Sequence, residues 1–145
     1  MNQHLLPETS RVKLEAAYAD RAREAKTLDD AGHKTMSTAM WMYALEVRLK
    51  ALICKHLALD HPPTACKTHD LAGLIIFTGL SPELDLAGNE LIRKSWDRLA
   101  DFSKKRLNDL RYLPDHDLAD GERDDLLLSL TDAQEGVLPW LSKPR

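Results

Sequence analysis

Residues 34–60, KTMSTAMWMYALEVRLKALICKHLALD, are the densest apolar stretch of the chain. Met36, Met40, Tyr43, Val47, Cys54 and Ala58 recur at helical spacing on one face. Trp41, Leu45, Leu49 and Leu52 form a second face. A helix apolar on two sides is packed on both, so this one is either central in a bundle or shared with a second copy. Glu46, Arg48, Lys50, Lys55 and His56 interrupt the run, and no uninterrupted stretch approaches the roughly 20 apolar residues of a membrane span. His61-Pro62-Pro63 stops it, because proline has no N–H to donate and its ring obstructs the preceding turn.

Helical periodicity also rules on both sides of this segment. Residues 7–30 carry Leu14, Ala17, Tyr18, Ala22, Ala25 and Leu28 as one stripe, with Gly32 placed to end the helix. Downstream, Thr68 is the expected N-cap of a short helix carrying Leu71, Leu74 and Ile75, which Gly79 closes. Ser81-Pro82 reads as N-cap plus first-turn proline of a fourth helical region reaching Tyr112, interrupted near Gly88. Ile92, Trp96, Leu99, Leu107 and Leu110 line its inner side. After a polar link over residues 114–120, a fifth helix carries Leu126, Leu130, Ala133, Val137 and Leu141, its last turns disturbed by Gly136 and Pro139. The expected fold is all-α: an up-and-down bundle of four long helices plus a short one. It forms a single domain over residues 1–145, with about six N-terminal residues and the last few loose.

Composition agrees. Apolar residues at 43% are too many for a disordered chain, and six Gly with seven Pro are too few for a hairpin-rich β fold. A chain of 145 residues buries roughly two-thirds of its unfolded surface, enough for a core without staples. Cys54 and Cys66 do not make a disulfide framework, and MNQHLLPETS has no leader pattern, so the expected location is cytoplasmic.

The formal charge of −3 conceals a division. Residues 93–111 hold seven basic side chains against three acids, whereas residues 115–135 hold eight acids against Arg123 alone. The fourth helix therefore offers a phosphate-attracting face, unless the two segments face each other. Arg111 lies at its basic end, and His116 follows across Pro114. A guanidinium fork can hold a phosphate, and imidazole moves protons near neutrality. With the ribose 2′-OH as nucleophile, this pair is competent for RNA cleavage without metal or cofactor. Lys105 and Arg106 are candidates to hold flanking phosphates. His69 reads as a local capping residue outside the catalytic set. Cys54, His56, His61, Cys66 and His69 contain no second paired ligand motif, so no metal site is assigned.

Three segments together resemble the HEPN domain. They are Thr68-His69-Asp70-Leu71, the Trp96-to-Tyr112 stretch ending Asp109-Leu110-Arg111-Tyr112, and Gln134-Glu135-Gly136-Val137-Leu138-Pro139-Trp140-Leu141. The resemblance runs from about residue 37 to 143. It implies a helical bundle that dimerises, here through the second and fourth helices. It further implies a metal-independent ribonuclease of toxin–antitoxin or phage-defence type with an Arg-x(4–6)-His motif, which Arg111 and His116 fit. Tyr112 departs from the polar residue that usually follows the Arg. Arg-Tyr with a nearby Pro is also similar to HEPN members that lack ribonuclease activity. Those act as binding subunits in nucleotidyltransferase or defence assemblies. RNA, a second copy, and an antitoxin or nucleotidyltransferase are the partners the resemblance implies.

Overall fold

The computed structural model describes residues 10–115 and 117–145, and all regular structure among them is helical. The helices are α1 (Arg11–Asp30), α2 (Lys34–Leu57), α3 (Leu71–Phe77), α4 (Glu90–Lys105), α5 (Asp120–Thr131) and α6 (Val137–Leu141). Short 3-10 segments cover Thr64–Cys66, Ser81–Asp85 and Leu107–Tyr112. The fold is an all-α helical bundle. None of these helices is long and apolar enough to cross a membrane.

The stretch at residues 34–60 is central in it. Ala39, Trp41, Met42, Ala44, Leu45, Leu49 and Ile53 of α2 are buried in the main core, with Leu74, Leu99, Leu110, Leu130 and Leu141 from the surrounding elements. α2 packs on α1, α3, α5 and the 107–112 turn; Trp41, Leu45 and Leu49 of one apolar face are buried, while Met36, Met40, Tyr43 and Val47 of the other are partly exposed. Ser37 Oγ donates to the Ala25 carbonyl at 2.6 Å, which satisfies a buried hydroxyl and ties α2 to α1. Gly32, at φ +87°, makes the turn between them.

Several boundaries differ from the sequence expectation, each for a local reason. α2 ends at Leu57, before the prolines, because Ala58 turns into the left-handed region at φ 54° and Leu59 N–H bonds back to Cys54 O at 2.9 Å. α3 begins at Leu71, since the Thr68 hydroxyl accepts the Asp70 N–H and makes a tight turn instead of capping a helix. Ser81-Pro82 opens only a 3-10 turn, and the α-helix resumes at Glu90 beyond Gly88. That helix ends at Lys105; Arg111 and Tyr112 sit in a tighter 3-10 segment. The fifth helix is cut in two. Asp132 Oδ2 accepts the N–H groups of Gln134 and Glu135 at 3.0 Å, and Gly136 passes so close to the Asp132 backbone that a Cβ there would lie 2.5 Å from it.

Candidate functional site

Arg111 projects from the end of the 107–112 turn and is exposed. Its Nε donates to the Asn108 carbonyl at 3.3 Å, an Nη bonds Asn108 Oδ1, and the guanidinium lies 5.5 Å from the Tyr112 ring centroid. It has no carboxylate partner among the described residues. Arg111 is therefore a cation braced by neutral groups, with its charge uncompensated and a face open to an anion.

Arg111 lines a cavity of about 500 Å³ together with Tyr43, Glu46, His69, Ser103 and Asn108. Glu46 and His69 form its second polar feature. His69 Nδ1 stands 2.8 Å from Glu46 Oε1, and Lys50 Nζ donates to Glu46 Oε2 at 3.1 Å. Glu46 is 13% exposed, while the His69 side chain is 88% exposed. A carboxylate can only accept, so Glu46 holds the imidazole proton on Nδ1 and leaves Nε2 as a base open to solvent. A neighbouring cavity of about 350 Å³ shares His69 and Ser103 and adds Asp70 and Lys104. One cationic fork and one oriented imidazole thus meet at a single concave surface.

The other residues picked out in the sequence fall elsewhere. Lys105 pairs with Asp101 at 2.9 Å and Arg106 with Glu122 of α5. Both line a separate cavity between α4 and α5, away from the one that holds Arg111. The basic and acidic segments face each other in part, through Arg106 and Glu122 and through Arg98, which donates to Ser129 Oγ at 2.7 Å. His116 lies outside the described residues. The segment leading to it is tied to the start of α2: Thr35 Oγ1 donates to the carbonyls of Asp115 (2.9 Å) and Pro114 (3.3 Å), and His33 Nδ1 lies 3.0 Å from Asp115 Oδ2.

The thiols of Cys54 and Cys66 are fully buried, and burial pushes both pKa values up. Among the described residues no three His, Cys, Asp or Glu side chains gather to hold an ion.

His69 and Glu46 were not assigned from the sequence. The available signal was Glu46 itself, the only acid between Asp30 and Asp60. An isolated carboxylate in the most apolar stretch is costly to bury and calls for a specific partner.

No family model, curated protein or solved structure matches the chain.

Proposed function

We propose that the chain is a metal-independent endoribonuclease of HEPN type, in the manner of toxin or phage-defence enzymes. The reading is supported by Arg111 and the Glu46-oriented His69 lining one cavity. In this reading Arg111 holds the scissile phosphate and offsets the charge that develops on it. An imidazole takes the 2′-OH proton, the 2′ oxygen attacks phosphorus, and the bond to the 5′ oxygen breaks as that oxygen is protonated. The products are a 2′,3′-cyclic phosphate and a 5′-hydroxyl. His116 is the imidazole named by the Arg-x4-His spacing, and His69 is the one whose geometry is described. Lys105 and Arg106 are candidates to hold flanking phosphates, each in an ion pair, with Asp101 and Glu122, that RNA would displace. A homodimer through α2 and α4 belongs to the same proposal.

Tyr112 favours a second reading. It is 74% exposed and stacked on Arg111, an amphipathic surface suited to anchoring a protein partner or nucleotide in a non-catalytic HEPN module.

The test is cleavage of end-labelled RNA in EDTA by wild type, Arg111→Ala, His116→Ala and His69→Ala. Loss in Arg111→Ala together with either histidine variant, with a cyclic phosphate at the product end, supports the enzyme. Equal cleavage by all four proteins, or none by folded wild type, rejects it.

A further inference from the structure

The C-terminal half of α2 borders a second charged cavity, which has no lining residue in common with the one around Arg111. It is about 400 Å³ in volume and lies between α2, the turn at residues 78–80, and residues 141–145. Arg48, Lys55, His56, Lys143 and Arg145 line it, and among the described residues no Asp or Glu does. Arg145 is already held by Glu83 at 3.3 Å and by the Trp140 carbonyl at 3.0 Å. Arg48, Lys55 and Lys143 have no carboxylate partner among the described residues.

Two of these side chains are seated by packing. The Arg48 guanidinium lies 5.6 Å from the Tyr18 ring centroid, and its buried Nε has no hydrogen-bond partner among the described residues. The His56 ring, in turn, rests against Gly79. A Cβ at Gly79 would come within 2.6 Å of the imidazole Cε1 and Nε2, so the absent side chain makes room for the ring. Like charges gathered in a concave site repel one another, and an anion with several acceptor oxygens relieves that repulsion. Leu52, Leu80 and Leu141 give the same cavity an apolar wall.

We propose that this cavity binds a phosphate-bearing small molecule of mononucleotide size. The ammonium groups of Lys55 and Lys143 grip the phosphates, the Arg48 guanidinium adds positive charge at the wall, and the leucines carry the base. The volume falls in the range of small-ligand sites, roughly 300–1,000 Å³. The proposal is independent of ribonuclease activity.

Isothermal titration of the intact protein with ADP, inorganic pyrophosphate and adenosine tests it. Lys55→Glu and Lys143→Glu are the principal variants because both side chains are exposed and their folding can be checked by circular dichroism. Arg48→Gln is added where it folds. ADP is expected to bind more tightly than pyrophosphate, and adenosine not at all. Each lysine variant should weaken ADP by at least about ten-fold, from the loss of one charge-assisted contact and the repulsion of a new carboxylate. Adenosine binding as well as ADP, unchanged binding in both folded lysine variants, or no heat at millimolar ADP would overturn the proposal. Pyrophosphate matching ADP would overturn the nucleotide assignment.

Discussion

Glu46 and His69 are separated by 23 residues of sequence, yet Oε1 of one lies 2.8 Å from Nδ1 of the other, with Lys50 holding the second carboxylate oxygen. Glu46 therefore does two things at once: it neutralises a half-buried ammonium and aims an exposed imidazole. Glu46→Ala removes both. Stability should fall by about 2 kcal/mol in urea titration, because Lys50 is left with its charge unpaired in a partly desolvated place. On the ribonuclease proposal, RNA cleavage in EDTA should also fall more than ten-fold at a temperature where the variant remains folded. Wild-type activity in that variant would separate His69 from the reaction.

Thr35 is buried at the start of α2, and its hydroxyl serves the Pro114 and Asp115 carbonyls. Thr35→Val keeps the shape and deletes the donor. A loss of about 1 kcal/mol is expected, together with faster amide exchange confined to the segment around Asp115. Exchange unchanged there would mean that the bond does not anchor the segment.

Arg123 of α5 is only 8% exposed and is ion-paired with Asp29 of α1, with Asp124 as a more distant partner at 3.4 Å. Removing Asp29 leaves a buried cation with a poor substitute. Asp29→Ala should cost about 2–3 kcal/mol. Asp124, 71% exposed, should cost no more than about 0.5 kcal/mol when changed to Ala. Chemical denaturation of the two variants side by side reads the difference.

The buried thiols set an alkaline limit. Burial raises the pKa of Cys54 and of Cys66 in the folded state above the unfolded value. Their contribution is fully present below the unfolded thiol pKa, about 8.5, and is lost as pH rises through the folded values. Stability measured by urea titration should be flat on this account at neutral pH and decline above the ordinary thiol range. Cys54→Ala should make that decline shallower. Rapid reaction of native protein with a thiol reagent at pH 8 would contradict the burial on which the argument rests.

Ala58 sits in the left-handed region at φ 54°, where a Cβ is crowded by the backbone. Ala58→Gly should raise stability by about 0.5–1 kcal/mol, seen as a higher melting temperature. A lower one would show that the greater freedom of glycine in the unfolded chain outweighs the relieved strain.

The central position of α2 was legible because two apolar faces within residues 34–60 require cover on both sides, and the core residues of α4 follow the same 3.6-residue period. The interruption near Gly88 was legible for the same reason as the turn at Gly32. The split between α5 and α6 was only half-visible: Gly136 marked a disturbance, but the Asp132 turn that makes it depends on a carboxylate choosing two backbone N–H groups over solvent. Arg111 could be picked out as a charged residue at a helix end. Its lack of a carboxylate partner among the described residues, against the pairing of Lys105 and Arg106, could not, since Asp101 and Glu122 were two acids among many.

By itself, then, the sequence determined the helices, because helical hydrogen bonds and apolar periodicity operate over three or four residues and need no knowledge of the rest of the chain. The tertiary structure alone decided which side chains meet. Glu46, His69 and Arg111 come from α2, the loop before α3 and the 107–112 turn, and their convergence is set by how helices distant in sequence pack around α2. The same packing sets a cationic cavity in a chain of formal charge −3: where acids and bases lie across from each other they cancel, and where they do not, the uncompensated charge remains available to a ligand.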